Sequence, residues 1–373
     1  MKILQLISTL NYGGAEKFCV ELSNELSEDN EIIICTFRQE KDSINKKKMQ
    51  KIIKYINFGI KGKHSINNIT KIINLISKTN PDIVHINSGF ITFYFIIVRL
   101  FFRKLIIIQT VHNTLTEGYK KQLNVLNYLF HSVINVTISD KIYNSMSAHY
   151  PSLYFYNIDN GISELTTTSK LEEAKEEIIS YKETGSTKVF TAIGNYSDFK
   201  NFGMLAELFK ELNNRDVILL IIGNDKDPKK KNYNQVKEIK GNNTFILGNK
   251  ENVADFLYCS DCLISSSLQE GMPLTILEAF SMGIPVVATP AGGVVDMVID
   301  GENGFLAKGF EKEDLRYAVF RFLNAPPEEI AQMKKNNLKR YKENYSMKTC
   351  AKKYELLYKE ILASNKTNKT NRM

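Results

Sequence analysis

Hydrophobic positions in this chain come in short unbroken runs, not in strict alternation. KILQLIS (2–8), EIIICTF (31–37), DIVHINS (82–88), KLIIIQTVHN (104–113) and VINVTIS (133–139) are rich in β-branched residues, and stretches of helical spacing such as AEKFCVELSNEL (15–26) separate them. A strand written as a continuous apolar run is buried on both faces, so the pattern predicts a parallel sheet with helices on each side. The pattern restarts at KVFTAIG (188–194) and continues through VILLIIG (217–223), NTFILG (243–248), DCLISSS (261–267) and IPVVAT (284–289). Between the halves lies TTTSKLEEAKEEIISYKETGSTK (166–188), charged and poor in strand formers. The expected architecture is therefore α/β, with a first domain over 1–165 and a second over 185–345. The end, from PPEEIAQMKKNN (326–337) to ILASNK (361–366), is amphipathic and helical, and its paired prolines suit a helix start. Two open α/β sheets in tandem are expected to bind a ligand at their strand ends, in a cleft that both face.

A length of 373 residues suits two domains, and 43% hydrophobic residues suffice for two cores. The net charge of +8 is modest, and some of it is local: KKK at 46–48, KKK at 229–231 and the final NKTNKTNRM. Solvated surface explains such runs; attraction to anionic lipid or anionic sugar carriers is the functional alternative. No nucleic-acid-binding signature is present, so nucleic acid is not an expected partner. The five cysteines have no framework spacing, and the lone C-x-x-C of Cys259 and Cys262 lacks a second pair to complete a zinc site, so core packing is expected. MKILQLIS is too short for a signal peptide and no run approaches a membrane span, which predicts a cytoplasmic protein.

The stretch SSSLQEGMPLTILEAFSMGIPVVAT (265–289) carries the sharpest chemical signal. Glu270 and Glu278 stand in apolar surroundings with no Lys or Arg in the stretch. Carboxylates in such a setting need partners, and hydroxyl groups of a ligand are suitable ones. A helix is predicted from Met272 or Pro273 to Met282, ended by Gly283. Glu270 then precedes the helix and Glu278 lies within it, with Thr275 and Ser281 on the same face. The helix N-terminus favours an anion. The structural alternative is a buried network around Glu278 and a surface Glu270.

EGMPLTILEAFSMGIPVVATPAGGVVDMVIDGENGFL closely resembles the E-x7-E region of the retaining glycosyltransferases of family 4, often called glycosyl transferases group 1. YGGAEKF resembles that family's N-terminal glycine loop, and PDIVHINS, TVHN, NGI, GNYSDFKN and LLIIGN follow in the family's order. The resemblance implies the GT-B fold, two Rossmann-like doubly wound parallel-sheet domains facing a central cleft, with the last helix (347–363) crossing back to the first domain. It implies that Glu278 holds the ribose of a nucleoside-diphosphate sugar and that Glu270 contacts the donor sugar. Backbone N–H groups of Gly271, Met272, Pro273 and Leu274 would help hold sugar and diphosphate, and Lys200 would neutralise the diphosphate. Gly13 and Gly14 would let the first loop approach the phosphates, and His112 would sit beside the transferred sugar. Glu270, His112 and Lys200 are the catalytic candidates.

One departure stands out. Where many members carry an Arg partnering the diphosphate lysine, this chain has Asn195. KDPKKK (226–231) is a candidate source of a replacement cation. His112 and His85 both end apolar strands, where a satisfied structural histidine is the ordinary reading; His85 is left structural or acceptor-side. Asp225-Lys226-Asp227 has the D-x-D spacing of metal-dependent transferases, but its place before Pro228 reads as a turn, so no metal and no cofactor beyond the donor substrate are expected. YGG is not G-x-G-x-x-G and no G-K-[ST] occurs, which disfavours a nicotinamide enzyme or a P-loop ATPase. FITFYFIIVRLFFRKL (90–105) reads either as a core helix or as a surface meeting the membrane to reach a lipid-linked glycan acceptor. The expected activity is hexosyl or N-acetylhexosaminyl transfer to a glycan hydroxyl in bacterial surface polysaccharide assembly, at the inner face of the membrane. The competitors are a nucleotide-sugar epimerase and a silent donor-binding subunit.

Overall fold

The structure is a computed structural model and describes residues 1–11, 13–40, 43–60, 66–112, 133–151, 153–212, 216–223 and 231–370. The chain divides into two compact units, residues 1–163 with 347–373, and residues 164–346.

The first unit is built on strands β1 (Lys2–Ile7), β2 (Glu31–Arg38), β3 (Lys54–Ile60), β4 (Ile83–Ile86), β5 (Ile106–Val111), β6 (Val133–Thr137) and β7 (Phe155–Asn157). They form one sheet in the order β3-β2-β1-β4-β5-β6-β7, with every pairing parallel. Helices α1 (Gly14–Leu26), α2 (Ile44–Lys47), α3 (Ile66–Thr79), α4 (Thr92–Phe101) and α5 (Asp140–His149) connect them. Strands β4 and β5 are buried throughout and β2 at all but its two ends, as their continuous apolar runs require, whereas edge strand β3 is half-exposed. One core joins Leu4, Leu6, Ile33, Val84 and Ile107 of the sheet to Ile72 and Ile76 of α3 and to Phe95 and Val98 of α4.

The second unit has helices α6 (Leu171–Tyr181), α7 (Phe202–Leu212), α8 (Lys231–Ile239), α9 (Val253–Tyr258), α10 (Leu274–Ser281), α11 (Val294–Met297), α12 (Lys312–Asn324) and α13 (Pro327–Arg340). Its strands are β8 (Lys188–Ile193), β9 (Val217–Ile222), β10 (Thr244–Gly248), β11 (Cys262–Ser265), β12 (Val286–Ala288) and β13 (Gly304–Leu306). The sheet order is β10-β9-β8-β11-β12-β13, again all parallel. Residues 166–184, left between the domains on sequence grounds, belong to this unit together with 164 and 165, which had been expected in the first domain: Ala174 and Ile178 of α6 pack on Val189, Ile218 and Leu220. Cys262 is buried in β11 and Cys259 is half-buried at the end of α9.

The final helix α14 (Met347–Thr370) belongs to the first unit, where it packs beside α1. Its Tyr354 and Tyr358 are fully buried and tie it to the sheet. The Tyr358 hydroxyl lies 2.7 Å from His85 Nδ1, His85 Nε2 lies 2.7 Å from Thr110 Oγ1, and Thr110 Oγ1 lies 2.9 Å from the Tyr354 hydroxyl. Both ring nitrogens of His85 are thus engaged, which makes it a structural histidine. Among the described residues no helix is long and apolar enough to cross a membrane.

Candidate active site

In an open parallel sheet, ligands bind outside the carboxyl ends of the strands where the strand order reverses. The second unit reverses between β8 and β11, since β9 lies on the other side of β8. Lys200 follows β8 and Glu270 follows β11, so the two candidate residues straddle that point. Lys200 Nζ approaches Glu270 Oε1 to 2.6 Å, and Ser267 Oγ donates to the same oxygen at 2.6 Å. Only 21% of the Lys200 side chain and 13% of the Glu270 side chain are exposed. The carboxylate expected to lack a side-chain cation therefore has one, supplied from 70 positions earlier in the chain. Lys200, expected to face a diphosphate, is engaged by a neighbouring site residue.

Five further hydrogen bonds and one close backbone approach set this arrangement. The loop after β8 ends in a short 3-10 turn, Asp198–Lys200, and a left-handed Asn201 with φ 51°. Ser266 Oγ donates to the carbonyls of Lys200 and Asn201 at 2.8 and 3.1 Å, and the Leu268 N–H donates to Phe199 O at 2.7 Å. The loop after β12 holds the other side of Glu270: the Gly293 N–H donates to Gly271 O at 3.0 Å. Gly292 has φ +54°, and a Cβ there would run into the Glu270 carbonyl oxygen. Thr289 Oγ1 donates to Ser267 O at 2.6 Å. Ser266, Ser267, Thr289 and Gly292 were not among the expected site residues, although small hydroxylated residues directly after two buried strands are the signal that could have marked them.

Helix α10 begins at Leu274 with Pro273 as its extended N-cap. Pro273 has no N–H, so it cannot join Gly271, Met272 and Leu274 as a backbone donor. Met272 and Leu274 are buried, with Gly271 half-buried before them. The helix buries Ile276, Leu277, Ala279 and Phe280 and leaves Thr275 and Glu278 half-exposed on one face. It stops in a Schellman motif: the Gly283 N–H donates to Phe280 O, the Ile284 N–H donates to Ala279 O, and Gly283 has φ 67°. Asn195 is exposed at the start of the Lys200 loop. Residues 225–230, which hold the D-x-D and most of the lysine-rich candidate segment, lie outside the described residues.

The first unit has its own reversal, between β1 and β4. Gly13 and Gly14 follow β1 and are exposed at the start of α1, but the Glu16 carboxylate fills the space beside Gly13. Burial and the charge of Glu40 hold the Glu16 carboxyl above its usual range. Tyr12 and Asn113, quoted in the resemblance, lie outside the described residues. His112 follows β5. Its Nε2 lies 3.4 Å from Asn87 Oδ1, and its ring meets Phe18 edge to face at 5.4 Å. Asn87 donates its amide to Gln5 Oε1 at 2.7 Å, which leaves Oδ1 as the acceptor and assigns the His112 proton to Nε2. Burial lowers His112 to about 4, so the ring is neutral near pH 7. Asn87 was also not anticipated.

Two all-parallel sheets, each with polar groups gathered at its order reversal, define a pair of Rossmann-like domains. Residues 12–151 match the family described as Glycosyltransferase Family 4, and residues 173–340 match the family described as Glycosyl transferases group 1. An uncharacterized glycosyltransferase of Methanocaldococcus jannaschii is 26% identical over 290 residues, 69% of this chain and 70% of that protein. In fold, the chain resembles a glycosyltransferase from Rickettsia africae with TM-score 0.80 at 22% identity, covering 96% of this chain and 98% of the other. It also resembles HepE of Anabaena, solved in complex with UDP and glucose, with TM-score 0.79 at 17% identity over 96% and 99% of the two chains. The fold is GT-B, and the two family matches fall one in each unit.

Proposed function

We propose that this protein is a retaining glycosyltransferase. It would move a hexose or N-acetylhexosamine from a nucleoside-diphosphate sugar to a glycan hydroxyl, in the assembly of a bacterial surface polysaccharide. The observation that carries this is the Lys200–Glu270–Ser267 cluster at the β8/β11 reversal, beside the N-terminus of α10. HepE, of similar fold, is described with UDP and glucose, which supports a nucleoside-diphosphate donor.

In this reading the donor's diphosphate draws Lys200 away from Glu270. Lys200 and the free N–H groups at the start of α10 then hold the departing charge without a metal ion. Glu270, released, accepts from hydroxyls of the donor sugar, and Glu278 accepts from the ribose. His112, neutral and protonated on Nε2, presents Nδ1 as an acceptor beside the transferred sugar. The bond from the anomeric carbon to the diphosphate oxygen breaks, the acceptor oxygen bonds to that carbon on the same face, and its proton passes to the departing phosphate. Asn195 leaves more of the leaving-group charge to Lys200 and to α10.

The test is nucleotide release from a panel of nucleoside-diphosphate sugars, with and without a membrane extract carrying glycan acceptors. Release that needs the extract supports transfer. Conversion of the donor without extract would make the protein an epimerase, and binding without turnover would make it a donor-binding subunit.

A further inference from the structure

Helix α4 buries Tyr94, Phe95 and Val98 in the first core, yet a neighbouring face is open: Ile97 is 41%, Leu100 62% and Phe101 64% exposed. Helical spacing puts these three side chains on one face. Large apolar side chains grouped at a surface mark a contact. The surroundings say with what. Arg103 and Lys104 follow the helix directly and are exposed, and Lys78 is exposed on the adjoining α3. Among the described residues none of the three forms an ion pair, whereas the guanidinium of Arg99 is already used on the Leu105 carbonyl. The charge imbalance is regional. Residues 43–116 hold 12 Lys and Arg against one acid, Asp82, while the whole chain carries only +8, so everything outside this segment is net negative.

We propose that the α4 face, with Ile97, Leu100, Phe101, Arg103 and Lys104, docks the first unit on an anionic lipid surface. The apolar side chains enter the boundary between headgroups and acyl chains, and the basic groups meet lipid phosphates. Neutral lipid lacks the second contribution. A protein partner or a second copy would have to offer a matching acidic surface.

The experiment is flotation of the full chain, without donor or acceptor, with vesicles of phosphatidylcholine alone or mixed with phosphatidylglycerol. The expected result is flotation with the anionic vesicles only, reduced by added salt. Arg103→Ala with Lys104→Ala should weaken it about thirtyfold, each basic group near an anionic surface being worth about fivefold. Leu100→Glu with Phe101→Glu should abolish it while the melting temperature and donor binding stay at the parent values. Failure to float with anionic vesicles at low salt overturns the proposal, as does unchanged flotation of the Leu100→Glu, Phe101→Glu variant. A dimer seen by sedimentation that this variant converts to monomer would also overturn it, in favour of self-association. Because no substrate is present, these outcomes stand apart from the glycosyltransferase chemistry.

Discussion

Lys200 Nζ and Glu270 Oε1 meet at 2.6 Å across the strand-order reversal of the second unit, and Ser267 donates to the same carboxylate oxygen. Under the proposed function, the donor's diphosphate must exchange this contact. Lys200→Ala should lower kcat about 10²- to 10³-fold, the scale for losing one fixed donor to developing charge, while nucleoside affinity falls much less. Glu270→Gln should free Lys200, so that it binds UDP more tightly than the parent yet turns over more slowly. Calorimetry with UDP and steady-state rates on both variants check this; equal losses of binding and turnover in Lys200→Ala would leave the lysine a ground-state contact only.

Glu278 lies half-exposed on α10, a helix whose other side is core. Glu278→Ala should leave the circular dichroism spectrum and melting temperature unchanged and weaken donor binding about a hundredfold or more, as expected for charge-assisted hydrogen bonds to two hydroxyls. Near-parental donor affinity in this variant would remove the ribose role.

His85 is lowered to about 3 and His112 to about 4, both chiefly by burial, with the charge of His112 a further influence on His85. An unfolded histidine takes up its proton near 6.5. Between that value and the folded ones the unfolded chain binds more protons, so stability rises with pH there. The contribution is complete above about pH 6.5 and is lost progressively as pH falls toward 4 for His112 and 3 for His85. The urea midpoint should begin to fall below about pH 6.5, before most carboxylates titrate. His85→Gln should flatten the early part of that fall, and a slope unchanged in this variant would assign it to other groups.

Tyr358 anchors α14 through its hydroxyl 2.7 Å from His85 Nδ1, in full burial. Tyr358→Phe keeps the packing and strands the ring nitrogen, at a cost of about 1–3 kcal/mol. Thermal denaturation should show this loss, and donor affinity should not follow it, because the residue belongs to the first unit and Glu278 to the second.

Gly292 sits at φ +54° with its α-carbon against the Glu270 carbonyl. Gly292→Ala should destabilise the second unit by about 1–3 kcal/mol and, below its melting temperature, lower turnover by shifting the Glu270 loop. Parental kcat in a destabilised variant would show that the loop tolerates the shift.

Much of the fold was legible in the sequence because central strands of a parallel sheet are apolar on both faces. The ten expected runs all contain strands. The strands not anticipated, β3, β7 and β13, all lie at sheet edges, where one side or end meets water and the apolar run is broken. Helix α10 and its stop were likewise readable, since Pro273 and Gly283 act through their own backbone preferences. Residue chemistry at 270 and 278 could be read too, but not its partners. Tertiary structure alone decided that Lys200 pairs with Glu270, that Asn87 orients His112, and that Gly292 lies under the Glu270 carbonyl. Each joins loops that follow different strands, and sheet order, not chain order, sets which loops become neighbours. A local pattern carries a strand's burial and a helix's ends; it carries no record of which strand will lie beside it.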